Sequence, residues 1–373
     1  MGPAGRQVCV VGDGVDGAAA AAFLGRRGHH PTVVSPPSAS AAGPHDIVLG
    51  SGVVAALRDL GGTAVADALA AGTGVRTWRV REAERERRRD LCAPDGRPPL
   101  RVVDRARIRE ALREGLPSAR LRVSKTPTAV RSTPEGPVVE FDDGVRERFD
   151  VVVGADGRRS WVRGAAFDGA PPRGHTACGT TTWSFRLPAR RSRGPTLTEA
   201  WGPDSGVILG PRERGRFVAA GDSDAASMTE AVRRSASSIP SGLDPDDVEG
   251  AARLADGGGW ARRWVEGEVV LLGNAAHAFH PALPVGASLA VGDADVLAAE
   301  LAARDRTAAL RRYERRRRER IALLARRVAA GGSRSSPFPV GGLPGLQDIR
   351  RGLLGAARGT GPDPLSTAVS GRS

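Results

Sequence analysis

Three widely separated segments of this chain have the pattern of a phosphate-binding turn: a short apolar, β-branched run, then glycines, then a helix-like stretch. Their sequences are VCVVGDGVDG (8–17), DVVVGADGRRSWVR (150–163) and EVVLLGNAAHAFHPALPVGASLAVGDA (268–294). A strand that ends in a Gly-rich turn presents bare backbone N–H groups to a phosphate. Three such turns predict an extended nucleotide cofactor lying across a sheet, and FAD is the cofactor that we expect.

The first segment carries the fingerprint G-x-G-x-x-G between a predicted strand and a predicted helix. Gly12 permits the tight turn, Gly14 lets a pyrophosphate approach the backbone, and Gly17 lets helix and strand pack closely. Val15 begins the helix, whose N-terminal N–H groups carry partial positive charge. The pattern predicts that these four residues bind the cofactor.

The acid that usually follows the second strand and binds the adenosine ribose is missing here. Its place, after the run PTVV (31–34), is taken by Ser35. Serine offers one neutral oxygen, whereas charge-assisted hydrogen bonds are about twice as strong as neutral ones. We expect Ser35 to bind the ribose and the cofactor affinity to be weakened.

With its second segment the chain resembles a known family, the single-component flavoprotein aromatic hydroxylases, such as para-hydroxybenzoate and salicylate hydroxylases. Asp156 and Gly157 match the family's "DG" motif, and the resemblance implies that they lie by the FAD pyrophosphate. A capped strand-to-helix turn, in which Asp156 accepts backbone N–H groups, is the structural interpretation. Both interpretations can hold together.

The third segment resembles the family's "GD" motif. Asn274 replaces an aspartate that hydrogen-bonds the ribityl chain, and it keeps an acceptor while losing the charge. The resemblance implies that Asn274 and Pro281 bind FAD. It also implies that Gly286, Ala287 and Ser288 begin a helix, predicted at about 287–303, whose N-terminus faces the flavin edge where reduction places negative charge.

A further match is VDRARI (103–108), which resembles the family's Arg-x-x-Leu helix. The resemblance implies that Arg105 approaches the ribityl chain or a phosphate, and the alternative is a surface ion pair with Asp104 or Glu110. His277 lies in an apolar turn and is predicted to be a packed structural residue. No catalytic residue is predicted. The candidates for substrate binding are Trp183, Arg186, Trp201 and His280.

The elements that position these residues predict an α/β fold, a Rossmann-like FAD-binding domain with an inserted antiparallel β layer and C-terminal helices. We assign residues 1–74, 98–168 and 265–330 to the discontinuous FAD-binding domain, 75–97 and 169–264 to the substrate-binding layer, and 331–373 to a partly ordered tail. A helix is predicted at 103–112 with Asp104 as its cap, and a strand or hairpin around 76–89.

The composition and the charge pattern argue against several classes of function. The 55 basic and 42 acidic residues give a net charge of +13, yet the arginine run at 311–320 falls on an amphipathic helix and is expected to cover mainly its outer face. Cysteines 9, 92 and 178 show neither disulfide nor metal spacing. We expect a cytoplasmic protein, monomer or homodimer, without a signal peptide, metal site, membrane span or nucleic-acid partner.

The resemblance implies a monooxygenase in which NADPH or NADH reduces FAD and O2 gives a flavin hydroperoxide. That peroxide would hydroxylate or epoxidise a small aromatic or a polyketide- or terpenoid-like substrate. The alternative is a non-catalytic binding or regulatory protein with weak or no flavin binding. It is favoured by the departures from the family pattern at Ser35, Asn274, Pro284, Val285 and Gly292. A nucleic-acid binder is a third hypothesis, which predicts strongly salt-dependent binding.

Overall fold

A computed structural model of the chain gives the coordinates. It describes residues 5–35, 46–82, 85–90, 96–116, 120–122, 125–167, 173–176, 180–188, 194–201, 205–212, 214–220, 228–235, 243–254, 258–279, 281 and 285–330. His280, Pro284 and the predicted tail 331–373 lie outside these residues, as does the side chain of Trp201.

The helices of the described chain lie mainly in its first and last thirds. They are α1 (Val15–Arg26), α2 (Ser51–Leu60), α3 (Thr63–Ala70), α4 (Arg105–Glu114), α5 (Trp161–Ala166), α6 (Met228–Ser235), α7 (Gly286–Leu301) and α8 (Arg306–Ala330). Two single turns of 3-10 helix occupy Pro245–Asp247 and Gly273–Ala275. None of the helices within the described residues is both long and apolar enough to cross a bilayer.

The strands of the first half are β1 (Gln7–Val11), β2 (His30–Val34), β3 (Asp46–Gly50), β4 (Thr73–Val75), β5 (Thr77–Glu82), β6 (Arg85–Asp90), β7 (Leu100–Asp104), β8 (Leu121–Arg122), β9 (Pro127–Arg131), β10 (Val138–Phe141), β11 (Arg146–Arg148) and β12 (Val151–Gly154). The second half adds β13 (Arg173–Thr176), β14 (Thr180–Arg186), β15 (Thr196–Trp201), β16 (Ser205–Leu209), β17 (Arg214–Ala220), β18 (Glu249–Leu254), β19 (Gly258–Trp260), β20 (Val265–Glu266), β21 (Val269–Leu271) and β22 (His277–Ala278).

A six-stranded sheet of order β20-β21-β12-β1-β2-β8 carries the three glycine motifs. Its central strands β2, β1, β12 and β21 run parallel, and their apolar residues are buried on both faces, as is typical of a parallel sheet covered by helices. Val11 pairs with Gly154 and with Val34, and Gly154 pairs with Leu271. The three motifs therefore leave the sheet at the same edge.

A second, seven-stranded sheet of order β18-β14-β17-β16-β15-β5-β6 confirms the predicted antiparallel layer, although β5 and β15 pair in parallel. Its strands β5 and β6 form the expected hairpin, with Thr77 opposite Asp90. Three small sheets, of order β11-β10-β9, β13-β19-β22 and β3-β7-β4, complete the described strands.

The helix predicted at 103–112 begins later than expected. Val103 belongs to β7, where it pairs with Ile47 and is fully buried, so sheet pairing ends the strand only at Asp104. The capping role of Asp104 is confirmed, because its carboxylate accepts a hydrogen bond of 2.9 Å from the backbone N–H of Arg107.

Candidate cofactor site

The fingerprint turn, residues 12–17, depends on the absence of side chains. Gly12 has a φ of +115°, and a Cβ there would lie 2.4 Å from the carbonyl oxygen of Ala155 in the second motif. A Cβ at Gly17 would lie 1.9 Å from the carbonyl oxygen of Gly12. The conformational roles predicted for both glycines are confirmed. Gly14 is the N-cap residue of α1 and no side chain caps this helix, so its first turn offers backbone N–H groups.

The three turns leave room for a ligand beside their glycines. Among the described residues, a Cβ at Gly14 would meet the Arg105 guanidinium at 3.6 Å, and one at Gly286 would meet Oδ1 of Asn274 at 3.8 Å. At Gly157 no described atom lies that close. Open space lined by backbone amides, a helix N-terminus and a guanidinium fits the pyrophosphate of a dinucleotide such as FAD.

Arg105 lies against the fingerprint turn rather than in the alternative surface pair. Asp104 pairs with Arg214 at 2.6 Å, and Glu110 pairs with Arg109 at 2.5 Å. Burial lowers the pKa of Arg105, and the nearby Asp16 carboxylate opposes that shift. The guanidinium therefore supplies a partly desolvated positive charge at the phosphate position.

Asp156 of the second motif turns towards its own helix. Its carboxylate accepts hydrogen bonds from the Ser160 hydroxyl at 2.6 Å and from the Val162 N–H at 3.0 Å. Burial raises the pKa of Asp156, and these two hydrogen bonds oppose that shift. The capped-turn interpretation is confirmed, and cofactor binding by Asp156 and Gly157 stays a prediction.

Two arginines that the sequence interpretation passed over join the second and third motifs. Arg163 donates to the carbonyl oxygens of Ala275 and Arg158, each at 2.7 Å. Arg158 in turn donates to the carbonyl oxygen of Phe279. Both arginines belong to the "DG" segment. Nothing in their local sequence indicates that they donate hydrogen bonds to carbonyl groups more than a hundred residues away.

Asn274 has a partner in the fingerprint turn. The Asp16 carboxylate accepts from the Asn274 backbone N–H at 3.1 Å and from its side-chain Nδ2 at 3.3 Å. Because a carboxylate only accepts, the amide nitrogen must face Asp16, which turns the Asn274 oxygen towards Gly286. Burial raises the pKa of Asp16, and the Asn274 N–H and Arg105 oppose that rise.

The charge-neutral residue at position 274 follows from this contact. An aspartate there would place two carboxylates in hydrogen-bond range, and one of the two would have to be protonated. Asp16 also fixes its neighbour, since a Cβ at Gly273 would lie 2.4 Å from the Asp16 carboxylate. One carboxylate, that of Asp16, is therefore present at this contact.

A buried ionic cluster of Asp293, His277 and Arg317 supports the third motif. Asp293 accepts from the Gly273 N–H at 2.9 Å and contacts His277 Nε2 at 2.5 Å. Its other oxygen accepts from Arg317 of α8. Burial alone would raise the pKa of Asp293, but Arg317 and His277 outweigh it and lower the pKa. The predicted packed role of His277 is confirmed.

Most arginines of the run at 311–320 lie on the outer face of α8, as expected, and Arg317 is the exception. Arg317 is buried together with the apolar residues Leu310, Tyr313 and Ile321. It lies four residues after Tyr313 and four before Ile321, so it falls on the apolar stripe of α8. That spacing was the available signal that one arginine of the run points inward.

The end of β2 brings Ser35 and Asp13 together. The Ser35 hydroxyl, buried at the end of β2, donates to Asp13 Oδ1 at 3.3 Å. Asp13 Oδ2 accepts from Arg113 of α4, also at 3.3 Å. Sequence reasoning passed over both Asp13, which occupies a variable position of the fingerprint, and Arg113.

Three further residues predicted to bind the cofactor make contacts within the protein. The Ser288 hydroxyl accepts from the Gly50 N–H at 3.0 Å and donates to the Val48 carbonyl at 3.1 Å, so it attaches α7 to β3. The Val15 side chain is buried in the core, which leaves its backbone for a ligand. The Pro281 carbonyl accepts from Arg216 at 2.7 Å.

The substrate candidates separate onto different faces of the seven-stranded sheet. Trp183 lies in a small core with Phe217 and with Val232 of α6, whereas Val218 faces the main core of the cofactor domain. The Trp183 side chain is therefore turned away from the main core of the cofactor domain. Arg186 is exposed on the same strand.

Arg216 is a residue of this sheet that the sequence interpretation missed. It shares the face of Val218, and it donates to the carbonyl oxygens of Pro281 at 2.7 Å and Asp46 at 3.0 Å. Burial lowers the pKa of this guanidinium, and the Asp46 carboxylate opposes the shift. A positive charge therefore lies where the β layer meets the third motif.

Known proteins are similar to this chain over most of its length. Residues 6–328 match the protein family described as FAD binding domain. The chain is 30% identical over 344 residues to 3-amino-4-hydroxybenzoate 2-monooxygenase PtnB3 of Streptomyces platensis, covering 86% of each chain. It is 31% identical over 275 residues to 2-heptyl-3-hydroxy-4(1H)-quinolone synthase of Pseudomonas aeruginosa, covering 64% of this chain and 66% of that protein.

Solved structures share the fold. HpxO of Klebsiella pneumoniae, complexed with FAD and uric acid, superposes with a TM-score of 0.74 at 22% identity, covering 97% of this chain and 95% of that one. PqsL of Pseudomonas aeruginosa gives a TM-score of 0.73 at 23% identity, covering 90% and 99%. These likenesses confirm the predicted fold class.

Proposed function

The chain belongs to the FAD binding domain family, and from this premise we propose that it is an FAD-dependent monooxygenase that uses NADH or NADPH and O2 to oxygenate a small, electron-rich aromatic substrate. The observation that carries the proposal is the meeting of three glycine turns and Arg105 at one edge of the parallel sheet. Relatives named as monooxygenases favour catalysis over the non-catalytic alternative.

Different residues of the site bind different parts of the cofactor. FAD, when bound, supplies the two-electron chemistry with the nicotinamide and the activation of O2. The first turn of α1 and the Arg105 guanidinium bind the pyrophosphate. Asn274 offers its side-chain oxygen to the ribityl hydroxyls, since Asp16 holds its amide nitrogen. The N-terminus of α7, at Gly286 and Ala287, stabilises negative charge at the flavin edge.

The departures from the family pattern do not argue for lost flavin binding at the described positions. Asn274 is matched by Asp16, so one carboxylate remains at that contact. Gly292 is followed by Asp293, whose carboxylate is fully engaged by buried partners inside the fold. Val285 is buried and precedes α7.

The substrate class follows from Arg216 and from the relatives. A partly desolvated guanidinium at the boundary of sheet and third motif favours a substrate that carries a carboxylate or phenolate. A relative named for 3-amino-4-hydroxybenzoate agrees with an aromatic acid. Polyketide- or terpenoid-like substrates are the second class. We further propose that the enzyme acts in the cytoplasm as a monomer or homodimer.

The first experiment measures flavin binding and turnover of the purified protein. We expect FAD absorbance to copurify or to be restored by added FAD, and an aromatic acid to stimulate NADH or NADPH oxidation with a product heavier by one oxygen atom. Arg105→Ala should weaken FAD binding at least tenfold, because it removes a charge-assisted contact. The exposed neighbour Arg107 provides the matched control variant Arg107→Ala.

Two results contradict the proposal. A protein that takes up no FAD is not a flavoenzyme. A protein that binds FAD but shows no nicotinamide oxidation, with or without a panel of aromatic acids, phenols and quinolones, favours the non-catalytic alternative.

A further inference from the structure

The variable position of the fingerprint turn places a carboxylate where the second strand ends. In dinucleotide-binding folds an acid at the end of that strand binds the adenosine ribose, and position 35 is a serine here. We propose that Asp13 binds the ribose hydroxyls of the adenosine half of FAD in place of that acid. The inference deepens the proposed function, on which it rests for the identity of the nucleotide.

Backbone contacts bring Asp13 to the right place. The N–H of Gly12 donates to the Val34 carbonyl at 2.7 Å, which ties the start of the fingerprint turn to the end of β2. Asp13 is the next residue, and its Oδ1 accepts from the Ser35 hydroxyl at 3.3 Å. The carboxylate therefore lies one hydrogen bond away from the residue that occupies the usual acidic position.

The carboxylate keeps acceptor capacity for a ligand. A carboxylate offers about four lone-pair sites, and the contacts described for Asp13 are one to Ser35 and one to Arg113. The Asp13 side chain is 17% exposed, so a ribose can reach it from solvent. Two neighbouring hydroxyls on one carboxylate match the geometry of a ribose diol.

Arg113 supports the same position from α4. One of its terminal nitrogens contacts Asp13 Oδ2 at 3.3 Å, and its buried Nε has no hydrogen-bond partner among the described residues. An unpartnered buried donor is unusual in a folded protein. The arginine orients the Asp13 carboxylate and places a further donor beside the nucleotide position.

The competing explanation is structural. Asp13 precedes α1 and pairs with Arg113, so its charge could serve only the helix N-terminus and the ion pair. Under that explanation the ribose hydroxyls have no influence on affinity. The two explanations differ in their response to removal of the hydroxyls from the ligand.

The test measures binding of ADP and of 2′,3′-dideoxy-ADP to the full chain by isothermal titration calorimetry. We expect the unmodified protein to prefer ADP by about tenfold, because hydrogen bonds to a charged group are lost with the hydroxyls. Asp13→Ala should lower the preference to about twofold or less, and Asp13→Asn should give an intermediate value. The double variant Asp13→Ala with Ser35→Asp should recover the preference, because it returns the acid to the end of β2.

The control variant is Asp67→Asn, which removes an equal charge from an exposed position on α3 and should leave the preference unchanged. The proposal is overturned if the unmodified protein binds both nucleotides equally, or if Asp13→Ala keeps the preference. If ADP binds too weakly to measure, the same comparison is made with FAD, and an unchanged FAD affinity in Asp13→Ala overturns the proposal.

Failure of this inference is distinguishable from failure of the proposed function. Ribose discrimination that depends on Asp13, together with no oxygenation of any substrate, supports the inference and contradicts the monooxygenase. Oxygenation without that discrimination supports the monooxygenase and contradicts the inference. A chain that binds neither nucleotide contradicts both.

Discussion

The two aspartates of the fingerprint turn lie three residues apart in opposite surroundings. Asp13, at the adenosine end, contacts a hydroxyl and a guanidinium and is open to solvent on one side. Asp16, at the flavin end, contacts the amide of Asn274, and burial raises its pKa. In the sequence both residues occupy variable positions of the fingerprint. Only the tertiary structure distinguishes their partners and their exposure to solvent.

The family pattern has acids at positions 35 and 274, and this chain has Ser35 and Asn274 there. The carboxylates of Asp13 and Asp16 lie beside these two positions in different ways. At the adenosine end, in the inference proposed above, the Asp13 carboxylate itself binds the ligand, whereas position 35 offers only a hydroxyl. At the flavin end the carboxylate lies behind Asn274 and orients its amide, so the ligand meets a neutral oxygen. The outer acid is a binding group, whereas the inner acid is a positioning residue.

The largest expected effect concerns the buried cluster beneath the inner end. Asp293→Ala leaves the Arg317 charge buried without its partner, and we expect the free energy of unfolding to fall by about 3–5 kcal/mol. Urea unfolding of the flavin-free protein measures it. Glu300→Ala is the control, because Glu300 also binds α8 arginines from α7, at 2.6 and 2.7 Å, but at partly exposed positions. Equal losses in the two variants would contradict a special role for the buried cluster.

The variant Asn274→Asp tests the difference between the two ends of the site directly. This variant sets a second carboxylate against Asp16, and we expect unfolding free energy to fall by about 1–3 kcal/mol at pH 8 and FAD affinity to fall with it. At pH 5 the loss should be smaller, because one proton can be shared between the two groups. The double variant with Asp16→Asn should recover most of the loss, since the swap restores one carboxylate and one amide. Loss of stability that the second change does not relieve would contradict the pairing.

The pH dependence of stability should have opposite signs at Asp16 and Asp293. The pKa of Asp293 is lowered from 3.8, so its stabilisation is complete above pH 3.8 and is lost as the pH falls through the lowered value. The pKa of Asp16 is raised from 3.8, so its carboxyl destabilises the fold progressively as the pH rises from 3.8 through the raised value. Urea midpoints between pH 3 and 8 for Asp293→Asn and Asp16→Asn, each compared with the unmodified protein, measure the two slopes. Slopes of the same sign would contradict the assignment.

The smallest expected effect on stability is that of Asp13→Asn. Its ion pair with Arg113 is partly exposed, and such pairs contribute about 0–1 kcal/mol. The unfolding free energy should therefore change by less than about 1 kcal/mol, while ribose discrimination falls. A variant that instead lost several kcal/mol would indicate that Asp13 supports the fold rather than a ligand.

The fold class could be predicted because its signals are local. Apolar β-branched runs identify buried parallel strands, and glycines at fixed spacing identify the turns that follow them. The strand or hairpin around 76–89 and the cap at Asp104 were also predicted from local sequence, and the structure has the hairpin of β5 and β6 and the capping hydrogen bond. The start of α4 was missed because Val103 fits a helix or a strand equally well until β3 pairs with it.

The sequence alone thus determined the family and the order of the motifs, since each motif depends on residues close together in the chain. The common edge of the sheet where the motifs meet came only from the pairing of β1, β12 and β21. Only the tertiary structure decided which charges meet. Asp16 and Asn274 lie 258 positions apart, and Asp13 meets Arg113 across 100 positions. It also turned Trp183 to the far face of its sheet and Arg317 into the core. Such pairings depend on how helices and sheets stack, and no local pattern of residues encodes that geometry.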